Sequence, residues 1–157
     1  MTKVEIGPYQ LAELTICTDA LLVSKSKQKT NVMALAWKSI GELWGYPICT
    51  VAVAPSRYTF SLLNEVKEFT LNVPSPQIAD AVNIAGSYSG RDTDKITLAG
   101  LKLIPSKHIT VPMIEQALIC YECKIILTAE SGAICSHRLF FGQILAAYAE
   151  ETLLKKK

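Results

Sequence analysis

The stretch 47-PICTVAVAPSRYTFSLLNEVKEFTLNV-73 reads as a strand, a turn, a helix and a second strand in quick succession. Ile48 to Val53 is apolar and rich in β-branched residues, and Pro55 cannot continue a hydrogen-bonded ladder. Ser56, Arg57 and Thr59 follow, with Thr59 a predicted helix N-cap. Leu62, Leu63 and Val66 then recur at helical spacing before Phe69 to Val73 returns to strand character. Working outward, the same strand signature recurs in 20-ALLVSK, 32-VMALAW, 118-LICYECKIIL and 138-RLFFGQILAA. That is enough strand for a barrel, so the predicted fold class is mainly β with a few short helices. Ser131-Gly132 between the last two runs signals a hairpin, and Gly142 inside the final run signals a bulge or a close backbone approach. A second helix is predicted over 75-SPQIADAVNIAG-86, with Ser75 as cap, Pro76 in the first turn, Ile78, Val82 and Ala85 on one face, and Gly86 as terminator. A short turn at 113-MIEQA and a charged tail from Ala149 complete the outline.

The 157 residues fit one domain, 1–157, with no repeat and no linker. Half of them are hydrophobic and the mean hydropathy is +0.25, which is high for a chain of this size unless part of its surface is covered by another subunit. No apolar run reaches the length of a membrane span and the start, 1-MTKVEIGPYQ, lacks a signal-peptide core, so a soluble, cytoplasmic protein is expected. Sixteen basic against fourteen acidic residues leave a net charge of +2, with Lys155 to Lys157 the one basic run, and this does not suggest nucleic acid. Five cysteines in such a chain predict reduced thiols rather than a disulfide framework. Cys120 and Cys123 have CxxC spacing, but within a strand they point to opposite faces. Ile119, Tyr121, Cys123, Ile125 and Leu127 form one apolar face, which makes Cys123 a core residue. With two histidines and no second cysteine pair, no metal site is expected.

The turn at Pro55 collects hydroxyls, a guanidinium and the free N–H groups of a helix start, which suits a phosphate. The same residues serve equally well as an ordinary cap and a solvated charge, and caps are the commoner case. Val32, Ala34 and Ala36 share one strand face, and Thr50, Ala52 and Ala54 share another. Small faces of this kind either admit a flat aromatic ring close to the backbone or line a tight barrel interior. The segment 86-GSYSGRDTDK-95 reads as a polar surface loop, in which Lys95 follows two aspartates with which it could pair.

Taken in order, 31-NVMALAW, 47-PICTVAVAPSRYT, 69-FTLNV, the 86–95 loop with its YSG and DK, Gly100-Leu101, the run from Pro112 to the YEC ending at Cys123, and His137 ahead of FFGQI resemble the flavin reductase-like family of FMN-binding proteins. The match spans roughly residues 10 to 150. The resemblance implies a split β-barrel with Greek-key connectivity, a homodimer, and FMN near the subunit interface. It implies that the backbones of Asn31, Val32, Met33 and Ala34 and of Cys49, Thr50 and Val51 meet the isoalloxazine ring. Ser56, Arg57 and Thr59 would bind the phosphate, and Ser87, Tyr88, Ser89, Gly90 and Lys95 would close over the cofactor. His137 stands where family members place a histidine that binds NAD(P)H, although Cys135-Ser136 precede it here in place of Gly-Asp. Cys49 lies on a strand beside the flavin, where a thiol could contact the ring or simply be a small buried hydrophobe. The implied activity is electron transfer from NAD(P)H through FMN to free flavin, ferric complexes or another acceptor. The alternative is a flavoredoxin-type electron carrier with a protein partner and no nicotinamide activity of its own.

Overall fold

Branched and aromatic residues hold most of the chain in extended backbone. The computed structural model describes residues 2–16 and 18–155, so Met1, Cys17, Lys156 and Lys157 lie outside the described residues. Among the described residues the order is β1 (Lys3–Ile6), β2 (Ala20–Lys25), β3 (Thr30–Leu35), β4 (Lys38–Leu43), β5 (Tyr46–Val53), α1 (Tyr58–Glu65), β6 (Glu68–Pro74), α2 (Ala79–Ser87), α3 (Lys95–Leu98), β7 (Leu103–Ile104), β8 (Met113–Ile114), β9 (Ala117–Glu130), β10 (Arg138–Glu150) and α4 (Glu151–Leu154). Two 3₁₀ turns, Ala12–Thr15 and Pro76–Ile78, complete it.

One antiparallel sheet runs β3-β2-β6-β9-β10-β5-β4, with β1 added along the far half of β10. Its two end strands, β3 and β4, are consecutive in the chain and joined only by Ala36 and Trp37, yet they do not pair with each other. Leu35 from one end of the path packs into the same cluster as Val51 and Val53 from the other, together with Leu22, Phe69, Tyr121 and Phe140. The sheet is therefore rolled around a common interior and left open between β3 and β4. This is the mainly β, split-barrel architecture, and pairings such as β2 with β6 and β5 with β10 give the expected Greek-key connectivity. At the opening, Ala52 N donates to Trp37 O at 3.1 Å, so the crossing segment is tied to β5.

A second core lies outside the barrel, where Leu21, Val23 and Val32 pack under Ile78, Ala81 and Ala85 of the α2 region. Burial on both faces explains why β2 is a continuous apolar run instead of an alternating one. It also separates the CxxC cysteines. Cys120 belongs to the outer core and its thiol reaches Ile114 O at 3.5 Å, whereas Cys123 is inside the barrel. The expected apolar stripe on β9 leaves the core at Leu127, which is 45% exposed. Gly142 is both things its position suggested. The register between β9 and β10 shifts at Phe141/Gly142, and a Cβ at Gly142 would stand 2.6 Å from Phe69 Cζ and 2.9 Å from Cys123 Cβ.

Several local expectations are corrected. Thr59 is not the N-cap of α1, because the helix begins at Tyr58 with Arg57 in the cap position, leaving Thr59 buried in the first turn. Helix α2 runs through Gly86 to Ser87, and the Ser75 hydroxyl makes no cap hydrogen bond. The loop ending at Lys95 leads directly into α3, capped by Asp94, whose side chain accepts from Thr97 N at 3.2 Å. Strand β10 continues through Ala149, so the tail helix starts only at Glu151. Strand β4 escaped prediction because 38-KSIGEL-43 is polar and lies at the sheet edge. Its hairpin to β5 is turned by Trp44 and Gly45 at φ 54° and 77°, the two positive values of a type I′ turn.

Candidate functional site

The opening of the barrel is where three chain segments meet. The turn after β5 enters α1, the end of α2 leads through residues 88–94 to α3, and both face β3. Between them lies a cleft of about 250 Å³ lined by Asn31, Met33 and Ala34, by Ser56 to Thr59, by Ala85 to Arg91, and by Lys95. A second cleft of about 130 Å³ is lined by Met33 to Trp37, Ala52 to Ala54, Arg57 and His137. The two share Met33, Ala34 and Arg57, so they form one continuous groove with a polar end and an apolar end. Together they reach the lower end of the roughly 300–1,000 Å³ typical of small-molecule sites.

The polar end is built for an anion. No carboxylate among the described residues lines it, while Arg57 and Lys95 do. Among the described residues neither cation takes part in an ion pair. Lys95 is 4% exposed and is no surface partner of the preceding aspartates; its Nζ donates to Ala85 O at 3.0 Å. Burial, and then the neighbouring Arg57 charge, push its pKa down to about 8. Two further cations flank the rim. Lys29 donates to Gly90 O and lies 5.2 Å from the Tyr58 ring centre, and Arg91 donates to Ser56 O at 3.2 Å and lies 5.6 Å from the same ring. These contacts hold the 88–94 segment against the turn after β5. Gly90 fits there only as glycine, since a Cβ would fall 2.1 Å from Asn31 Oδ1 and 2.8 Å from Tyr58.

The apolar end combines the small residues Ala34, Ala36, Ala52 and Ala54 with Trp37 and His137. Trp37 is 66% exposed at its mouth, and His137 Nδ1 is buried without a hydrogen-bond partner among the described residues. The His137 carbonyl is held by Ser131 Oγ at 2.6 Å, which fixes the end of the β9–β10 loop beside the groove.

Of the residues nominated from sequence, Asn31, Met33, Ala34, Ser56, Arg57, Thr59, Ser87, Tyr88, Ser89, Gly90 and Lys95 line the larger cleft, and His137 lines the smaller. Four nominated residues line neither. Val32 faces outward from β3 and is buried in the core beneath α2. Cys49 and Val51 alternate into the barrel interior, where Cys49 packs beside Cys123 away from both clefts. Thr50 lies on the outer sheet face, in a groove it shares with Trp37, Ser39, Ala52 and Leu139. The part of this segment that borders the groove is Ala52 to Ala54, three residues nearer the turn than the expected Cys49 to Val51, because only the end of β5 reaches the barrel opening. Sequence reasoning did not nominate Tyr58, Arg91 or Lys29. Tyr58 and Arg91 sit inside segments that were already singled out, whereas nothing around Lys29 in 24-SKSKQKT-30 distinguishes it from its neighbours.

Comparison with known proteins agrees with this fold. The chain is 36% identical over 132 residues to an uncharacterized protein of Pyrococcus abyssi, covering 83% of this chain and 73% of that protein. Among solved structures it is similar to a flavoredoxin from Methanosarcina acetivorans, at 32% identity and a TM-score of 0.75, covering 85% of this chain and 68% of that one. An FMN-binding protein from Thermus thermophilus superimposes with a TM-score of 0.77 at 27% identity, covering 88% of this chain and 74% of that one. The sequence profile described as flavin reductase like domain matches residues 16–156, and the chain belongs to that family.

Proposed function

We propose that the protein is an FMN-binding oxidoreductase that passes electrons from NAD(P)H to free flavin, ferric complexes or another acceptor. The observation that carries this reading is the groove itself: two cations with no ion-pair partner among the described residues at one end, and small residues with Trp37 and His137 at the other. The donor set fits FMN. Arg57, Lys95, Ser56 and Thr59 would hold the phosphate, and the backbones of Met33 to Ala36 and Ala52 to Ala54 would face the ring, since alanines let a flat ring approach main-chain donors closely. Ser87 to Gly90 would close over the cofactor from the α2 side. Bound FMN supplies hydride and single-electron chemistry, while the chain supplies orientation and electrostatics. His137 lines the apolar end, where its ring can bind a nicotinamide.

The likeness to a flavoredoxin favours a second reading, an FMN electron carrier reduced by a protein partner. Anaerobic stopped-flow absorbance separates the two. Rapid bleaching of the flavin band on mixing the FMN-loaded protein with NADH or NADPH is expected, with His137→Ala slowing that phase. No bleaching by either nucleotide, alongside normal reduction by dithionite or reduced ferredoxin, would replace the reductase by the carrier.

The functional unit we infer is a homodimer. The outer face of β4, β5, β9 and β10 carries Leu43 at 40%, Tyr46 at 48% and Leu127 at 45% exposure, with Trp44 at 63% set edge-on to Phe141. Exposed large apolar side chains grouped in this way mark an interaction surface, and Trp37, Ala52 and Leu139, beside Lys38, Ser39 and Thr50, carry that face to the apolar end of the groove. Sedimentation of the wild type should give twice the chain mass, and Trp44→Glu should return it to one. A wild type that sediments as a monomer would remove the dimer from this account.

A further inference from the structure

We infer that Asn31 is a positioning residue that selects phosphorylated over unphosphorylated flavin by fixing the direction of the Thr59 hydroxyl, an inference that rests on the phosphate reading of the polar cleft. Both residues line that cleft and both are nearly sealed from solvent, at 3% and 1% exposure. Asn31 Nδ2 donates to Thr59 Oγ1 at 3.2 Å. A hydroxyl has one hydrogen and two lone pairs. Because Thr59 receives the amide hydrogen, its own hydrogen needs another acceptor, and among the described residues none takes it. Serine and threonine in helices commonly turn that hydrogen back to the carbonyl three or four residues earlier. Here neither Pro55 O nor Ser56 O, four and three residues before Thr59, receives it among the described residues, and Ser56 O already accepts from Arg91 Nη1 at 3.2 Å. The open direction is the cleft, so an anionic oxygen there receives an O–H donor that is already oriented.

The orientation of the Asn31 amide decides this polarity. With its oxygen toward Thr59 the amide would take the hydroxyl hydrogen for itself, and the cleft would be offered a lone pair that repels an anion. The neighbour on the other side is Gly90, whose Cα lies so close to Asn31 that an added Cβ would meet Oδ1 at 2.1 Å and Cγ at 2.6 Å. Lys29 and Arg91 hold that glycine in place, one through the Gly90 carbonyl and the other through Ser56. In this orientation Asn31 acts on the anion through Thr59. This differs from the role implied for it by the family resemblance, which was a main-chain contact with the ring.

The test is a double-mutant cycle on Asn31→Leu and Thr59→Val, read as dissociation constants for FMN and for riboflavin by flavin fluorescence. Each single variant is expected to weaken FMN about tenfold, the scale of one hydrogen bond to a charged group. Riboflavin, which has no phosphate, should bind the variants as it binds the wild type. The double variant should be no weaker toward FMN than Thr59→Val alone. Asn31→Asp, nearly isosteric, guards against misfolding of the leucine variant; its carboxylate would accept the Thr59 hydrogen, and FMN should bind it at least as poorly as it binds Asn31→Leu. Additive losses, or equal losses for FMN and riboflavin, would overturn the positioning role. A wild type that binds riboflavin as tightly as FMN would instead overturn the phosphate cleft on which the inference rests.

Discussion

Replacing Arg57 and Thr59 together by alanine is expected to weaken FMN binding by roughly a hundred- to a thousandfold. The guanidinium offers charge-assisted hydrogen bonds to a phosphate, worth about 1.5–3 kcal/mol, and a buried hydroxyl aimed at a charged oxygen adds about 1.5 kcal/mol. At about 1.4 kcal/mol per factor of ten, the pair accounts for two to three orders of magnitude. The same change should leave the ligand-free protein folded with a modest loss of stability: Arg57 is exposed, forms no ion pair among the described residues and repels the buried Lys95, whereas losing the Thr59 hydroxyl leaves the buried Asn31 amide without its acceptor, at a cost of about 1–3 kcal/mol. A fluorescence titration and a thermal melt on the double variant check both halves. Unchanged FMN affinity would remove the phosphate from this turn, and a collapsed melting temperature would make the loss structural instead of local.

That contrast bears on how much of the molecule could be read from its sequence. Strands β2, β5, β6, β9 and β10 were legible because each is a branched or aromatic run bounded by Pro, Gly or Ser. Strand β4 was not, because an edge strand needs no apolar signature when its partner β5 supplies the pairing. The turn at Pro55 and the segment 86–95 were legible as polar punctuation, and the family resemblance brought them to one site. Local pattern could not show which side chains turn inward. Period-two alternation put Cys49 and Thr50 on opposite faces but could not say which face looks into the barrel, and neither proved to border the groove. Lys95 shows the same limit more sharply. Its sequence neighbours are Asp92 and Asp94, which suggest a surface pair, yet the fold buries its ammonium against the end of α2. Lys29 and Arg91 became significant only when the fold set both on Tyr58.

The buried ammonium gives the other large effect, a pH dependence of opposite sign for ligand affinity and for stability. In the ligand-free protein Lys95 titrates at about 8, lowered first by burial and then by Arg57. A phosphate in the cleft supplies the missing counter-charge and moves that pKa back toward the ordinary 10.5. The bound state then holds a proton that the free state releases above about pH 8, so FMN affinity should be flat from pH 7 to 8 and fall by up to tenfold per pH unit above it. Stability of the ligand-free chain runs the other way. Below pH 8 the folded and unfolded chains are both protonated at Lys95, and the folded one bears the cost of a desolvated cation. Between about 8 and 10.5 the unfolded chain binds more protons, so stability rises with pH across that window. Lys95→Met should abolish both slopes, raise the thermal stability of the ligand-free protein at pH 7, and leave an FMN affinity at pH 7 near that of the wild type at high pH. Titrations and melts from pH 6.5 to 9.5 on the two proteins decide the matter. Parallel slopes in wild type and variant would assign the dependence to another group and remove Lys95 from the anion site, whereas loss of both slopes in the variant would tie the instability of the empty cleft to its affinity for phosphate through a single side chain.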